Sequence, residues 1–165
     1  VVGGSGRSTA GVNAYRLPQR VGRAWRLGER PARDDRGRGH RAKAKGGALE
    51  HGAAVEVQRV LGTGLYESAY ASAMAIELAE REIGFERDVP IHGAYRGRPL
   101  GVACQADFIV EKSLLLGIKG VDSLSELHRA SLLSCLRLGG YRLGLLINFH
   151  AFPVVKGIYR LENKL

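Results

Sequence analysis

Apolar residues recur at near-helical spacing from Ala48 to Leu61, and the run stops at Gly62-Thr-Gly64. This pattern predicts a first helix. A second is predicted from about Tyr66 to Ile83, with Ala69, Ala73, Ile76 and Leu78 as apolar positions and Gly84 as its C-terminal cap. The small residues Ala69, Ala71, Ser72, Ala73 and Ala75 suit close packing against a sheet. The pattern then changes to strands. Arg87–Tyr95 alternates through Val89 and Ile91, and Pro90, which has no N–H to donate, puts this strand at an edge or at a strand start. A turn at Tyr95–Pro99 leads to a strand over Leu100–Val110. A tight turn at Glu111-Lys112-Ser113 leads to another over Leu114–Lys119. Ser123, with Glu126 three residues on, has the form of a capping box. The helix it opens carries Leu124, Leu127, Leu132, Leu136 and Leu138 and ends at Gly139-Gly140. Tyr141–Phe149 is almost continuously apolar, which predicts a central strand covered on both faces. Gly157–Glu162 is a short last strand. The order α-α-β-β-β-α-β-β predicts an α/β domain with a small mixed sheet flanked by helices.

Composition changes the picture only at the N-terminus. The chain has 165 residues, enough for one domain with a sizeable core, and a formal charge of +9. That charge is not spread evenly. Residues 1–45 hold twelve Lys/Arg against three Asp/Glu, and the rest of the chain holds thirteen of each. The basic isoelectric point is therefore a property of the first segment and says nothing about the surface of the remainder. Residues 1–46 are rich in Arg and Gly with no sustained apolar period, which predicts disorder. One reading makes this segment a basic arm that holds phosphates by counterion release. The other makes it a non-native extension: the chain begins with Val, and its only methionine is Met74, inside a helix. Cys104 and Cys135 are too few for a disulfide framework or a zinc site, and their apolar settings read as buried, inert thiols. That usage fits a reducing, cytoplasmic location. No apolar run approaches the length of a membrane span, and no signal-peptide pattern is present.

Candidate chemistry gathers at Gln105–Lys119. Period-2 alternation puts Gly117 and Lys119 on one face of their strand, and the hairpin brings Asp107 alongside. A carboxylate and a lysine meeting across paired strands form the skeleton of a metal-dependent phosphodiester-cleaving site. Such a site wants a second carboxylate two residues before the lysine, and glycine stands there.

The surrounding residues resemble a known family. Gly64-Leu-Tyr-Glu67-Ser-Ala-Tyr70 fits Gly-x-x-Glu-x-x-Tyr. Gly52-Ala-Ala-Val-Glu-Val precedes it, and Gln105-Ala-Asp107 and Ile118-Lys119 follow. Leu136-Arg-Leu-Gly-Gly-Tyr-Arg-Leu-Gly-Leu-Leu-Ile-Asn-Phe149 and Lys156-Gly-Ile-Tyr-Arg160 complete the series. Residues 47–165 thus resemble the GxxExxY family of the PD-(D/E)XK nuclease superfamily. The resemblance implies a restriction-endonuclease-like core and a DNA or RNA substrate. It implies Mg²⁺ or Mn²⁺ held by Asp107 and Glu67, with Lys119 as the catalytic lysine. Hard cations of this kind take oxygen ligands. Tyr70 and His128 are implied as supporting residues; Tyr70, three residues after Glu67, shares its helix face. Outside the resemblance, Glu67 reads as a helix N-terminal carboxylate, Tyr70 as a half-buried aromatic, and Asp107 with Lys119 as a surface ion pair.

The departures point to a weakened site. The family pattern has Glu-x-Lys where this chain has Gly117-Ile-Lys119, so Gly117 reads as a lost ligand position. It has Gln-x-x-x-Tyr where this chain has Ser131-Leu-Leu-Ser-Cys135, and His where this chain has Gln58. Asp122 or Glu126 is a conceivable replacement ligand, although a capping role explains Glu126 more simply. Two functions remain open: a metal-dependent nuclease with weakly bound metal, or a degenerate, non-cleaving domain that binds nucleic acid or a protein.

Overall fold

The computed structural model describes residues 47–164. The basic segment 1–46, expected to be a disordered extension, lies outside the described residues. Two helices, α1 (Ala48–Leu61) and α2 (Glu67–Glu80), precede three strands, β1 (Phe85–Tyr95), β2 (Arg98–Val110) and β3 (Leu114–Lys119). Helix α3 (Glu126–Gly139), strand β4 (Leu143–Asn148), a single 3₁₀ turn over Val154–Gly157 and strand β5 (Ile158–Glu162) complete the chain. The strands form one sheet in the order β1-β2-β3-β4-β5. The predicted element order and mixed sheet are both present.

Topology follows from connection length. The hairpins β1–β2 and β2–β3 are antiparallel, joined by tight turns. Strands β3 and β4 run parallel, because α3 carries the chain back across the sheet between them. Strand β5 returns antiparallel to β4. Pro90 lies on β1, the edge strand, where its missing donor costs least.

The sheet separates two apolar layers. On one face, Phe108, Val110, Leu114, Leu116, Ile118, Leu145 and Ile147 pack against Ala53, Ala54 and Val57 of α1 and Tyr70, Met74 and Leu78 of α2. On the other, Ile91, Ala106, Ile109, Leu115 and Leu146 meet Leu132, Cys135 and Leu136 of α3. Strand β4 is buried on both faces, as its unbroken apolar run predicts.

Four local expectations are corrected. The stripe that α2 buries is Tyr70, Met74 and Leu78, spaced by four, and Ile76 is exposed. Helix α2 ends in a Schellman arrangement with Glu82 at φ 57°, where Ile83 N–H donates to Leu78 C=O and Glu82 N–H to Ala79 C=O. Gly84 instead donates its N–H to the Glu111 carboxylate at 2.6 Å. The capping box of α3 is formed by Ser125 and His128, not by Ser123 and Glu126. Finally, Cys104 on β2 and Cys135 on α3 are joined as a disulfide with their Cα atoms 6.1 Å apart, so they are not two separate thiols. The strand register and the helix phase that bring them together are tertiary facts that a separation of 31 residues does not reveal.

Candidate functional site

The site begins where two strands part. The β2–β3 ladder pairs Val110 with Leu114, Ile109 with Leu115 and Phe108 with Leu116, and there it stops. The next residues in register are Asp107 and Gly117. Here a side chain replaces the ladder: Asp107 Oδ2 accepts the Ile118 N–H at 2.6 Å. A buried backbone donator left without a strand partner is costly, and this carboxylate satisfies it. Strand β3 keeps its other neighbour throughout, pairing with β4 as far as Lys119 and Asn148.

Lys119 ends β3, and its Nζ donates to Glu67 Oε2 at 3.1 Å. Glu67 is the first residue of α2, and its other oxygen accepts the Gly120 N–H at 3.4 Å. A carboxylate in the first turn also meets the positive end of the helix dipole. Asp107 and Lys119, paired by strand alternation, and Glu67, implied by the family resemblance, therefore converge at one end of the sheet.

Electrostatics at this fork are unbalanced. Burial pushes the Asp107 carboxyl above the ordinary aspartate range. The Ile118 N–H and the Lys119 ammonium oppose that rise, and the Glu67 and Asp88 carboxylates add to it. Asp88 is a neighbour that sequence reasoning missed; it sits on the exposed edge strand at φ 54° and pairs with Arg87.

Gly117 occupies the gap. A Cβ built there would lie 4.0 Å from Asp107 Oδ2, on the side of the existing carboxylate, and 3.1 Å from Leu146 Cδ1. A longer side chain at 117 would thus start out beside Asp107, and only the tip of a leucine would have to give way. Among the described residues no three His, Cys, Asp or Glu side chains group as a metal-binding cluster. The donors present are the carboxylates of Asp107 and Glu67. They are hard oxygens, right in kind for a divalent cation that keeps several of its waters, and few in number.

The supporting residues fall elsewhere. Tyr70 is fully buried. Its ring stacks on Phe149 at 4.5 Å, and its hydroxyl donates to Gly62 C=O while accepting the Leu65 N–H. It fixes the loop that delivers Glu67 and does not face Asp107. His128 is engaged as the N3 partner in the α3 cap, accepting the Ser125 N–H at 3.2 Å, and is not brought to the site. Glu126 pairs with Arg129 at 2.6 Å on an exposed surface, and Asp122 is exposed; neither replaces the missing ligand. Ser131 is exposed on α3.

Three polar residues that the sequence reading did not assign hold this end of the molecule. Asn148 is buried; its amide donates to Val121 C=O at 2.7 Å, and its oxygen accepts the Val121 N–H at 3.1 Å. That bridge anchors the segment after Lys119 to the end of β4. Gln58, also buried, donates to Phe149 and Ala151 C=O and accepts the Val154 N–H. His150 Nε2 lies 2.9 Å from Leu65 C=O, tying the loop before Glu67 to the loop after β4. The signal available was compositional: a single amide inside an apolar run, as at Asn148, has to find buried partners.

Comparison with known proteins agrees with this architecture. A family model of the PD-(D/E)XK nuclease superfamily matches residues 48–161. No curated protein and no solved structure matches the chain. The match spans nearly all of the described residues, and the chain belongs to the PD-(D/E)XK nuclease superfamily.

Proposed function

We propose that this member of the superfamily is a nuclease of the GxxExxY type, cleaving phosphodiester bonds of DNA or RNA with Mg²⁺ or Mn²⁺ at a weakened site. The observation that carries the reading is the convergence of Asp107, Lys119 and Glu67 where β2 leaves β3. Asp107 and Glu67 would hold the ion. When bound, it would polarise the phosphate and make a coordinated water more acidic. Lys119 is a point cation placed to orient that water and to steady charge developing on the phosphate. Gly117 supplies no donor, so Asp107 and Glu67 would hold the ion with one carboxylate fewer than the family pattern provides, which would weaken its binding and loosen its placement.

A second reading, a degenerate domain that binds nucleic acid or a protein without cutting, has one specific observation in its favour. The polar groups of the site already satisfy one another: Lys119 pairs with Glu67, and Asp107 caps the Ile118 N–H.

One assay separates the two. The purified chain is incubated with single- and double-stranded DNA and RNA in Mg²⁺ or Mn²⁺, beside Gly117→Glu and Asp107→Ala. Slow cleavage by the natural chain is expected, lost in Asp107→Ala. Gly117→Glu should cut on the order of a hundredfold faster, the scale of one restored transition-state contact. Cleavage by Gly117→Glu alone would establish the second reading. Equal cleavage by Asp107→Ala and the natural chain would remove Asp107 from the site.

A further inference from the structure

The two most exposed large aromatic side chains among the described residues stand beside this site. Tyr66, 87% exposed, immediately precedes Glu67, and Phe152, 79% exposed, follows β4. The His150–Leu65 hydrogen bond ties the segments that carry them, and Gln58 fixes the second by bonding Ala151 C=O and Val154 N–H. Val60, Leu61, Leu65 and Val155 are exposed on the same segments and on the last turn of α1. Two exposed aromatic rings are thus carried on segments that are tied to each other, one of them immediately before Glu67.

Neither ring has a job in the fold. Tyr66 precedes the first residue of α2 without a side-chain capping bond. Phe152 packs into neither apolar layer. Tyr70 and Phe149, one turn along the helix and three residues back along the chain, are the aromatics the core uses.

We propose that Tyr66 and Phe152 form a stacking platform for unpaired nucleobases, so that the substrate class of this site is single-stranded nucleic acid. This rests on the nucleic-acid reading above. A duplex hides the faces of its bases in its own stack, whereas an open strand offers them to aromatic side chains. Charge is arranged to match. Lys156 lies exposed in the 3₁₀ turn next to Val155, whereas Arg59, next to Val60, is already paired with Glu56. Lys156 is placed to meet a backbone phosphate beside the rings, and Lys119, paired with Glu67, lies further in.

The test uses the full chain and three fluorescein-labelled probes of fifteen units: oligo-dT, a duplex of the same length, and an abasic strand carrying phosphates without bases. Binding is followed by fluorescence anisotropy for the natural chain, for Tyr66→Ala/Phe152→Ala, and for Leu127→Ala, a control truncating an equally exposed apolar residue on α3 (73% exposed). The expected result is tighter binding of oligo-dT than of the duplex or the abasic strand. The double variant should lose ten- to a hundredfold of its oligo-dT affinity, the scale of one or two stacked bases. Its affinity for the abasic strand, its thermal midpoint and the binding of Leu127→Ala should not change. Equal binding of oligo-dT and the abasic strand, or an unaltered double variant, overturns the platform and leaves the nuclease reading standing. Binding of none of the probes overturns both. If sedimentation finds a dimer that the double variant dissociates while oligo-dT affinity is unchanged, the two rings belong to a self-association surface and the platform is wrong.

Discussion

The two ends of β3 obey different rules. At the hairpin end, Leu114, Leu115 and Leu116 pair with β2 on one side and β4 on the other, and all three are buried. Each of these residues has a strand partner on both sides, and the side chains have only to fill space. At the other end β2 has gone. Gly117, Ile118 and Lys119 keep only β4 on the ladder, and side chains take over what the lost strand did. Asp107 accepts the Ile118 N–H, Glu67 accepts from Lys119 and Gly120, and Asn148 brackets Val121. Six residues of one strand therefore contain both a piece of core and the frame of a site. Where a sheet opens, polar side chains are obliged to gather, and that obligation is what puts chemistry within reach.

The hairpin end should be the costlier to disturb. Leu116→Ala removes a fully buried side chain between β2, β4 and the helices. It should cost about 3 kcal/mol in urea unfolding, the usual scale for a core leucine truncation. Nucleic-acid affinity at a temperature where the variant is still folded should not change. Asn148→Ala tests the other end. It leaves both the N–H and the C=O of Val121 without their partner, so a loss of about 2 kcal/mol is expected. Here the chain after Lys119 is also released, so metal-dependent cleavage by the Gly117→Glu background should fall with it. If Leu116→Ala damaged cleavage as much as Asn148→Ala at matched stability, the two ends would not be separable.

The same division explains what could be read from the sequence. Near the hairpin, periodicity decides: α1 and β3 run over the predicted residues, and β4 is as buried as its composition predicts. Asp107 and Lys119 could be brought together because strand alternation is a local rule with long reach, whereas Glu67 entered only through the motif Gly64-x-x-Glu67-x-x-Tyr70 and the family it resembles. What could not be read were the roles that depend on a distant partner. Asn148 holds Val121 across 27 residues, and Gln58 holds Val154 across 96. Tyr70 shares a helix face with Glu67, but its hydroxyl turns to Gly62, because the loop there has a carbonyl to satisfy. At α3 two serines compete within one turn. Ser123 has a Glu at the right spacing, yet Ser125 caps, because His128 returns the second bond of the box.

The smallest effect is the most pointed test of the contrast. A carboxylate at the fork serves a backbone N–H that any side-chain oxygen acceptor could serve, yet it is held where burial raises its pKa above the ordinary value of 3.8. Between that value and its raised one, the folded protein binds the Asp107 proton more tightly than the unfolded chain does. Stability from this group is therefore fully present below the unfolded pKa and is lost as pH rises through the folded one. Asp107→Asn keeps an oxygen for the Ile118 N–H and removes the charge. At pH 7 it should raise stability by about 1 kcal/mol, a common gain when a group kept for function is neutralised. The gain should shrink toward zero as the pH is lowered below 4, where the aspartate is protonated in both states. Thermal midpoints of the two proteins across pH 3–8 measure this directly. A gain that persisted at low pH would mean that the carboxylate is not carrying an electrostatic cost. A loss at pH 7 would mean that the Ile118 hydrogen bond and the nearby Lys119 charge outweigh burial, and the fork would then be an ordinary stabilising cap like those at the helix ends.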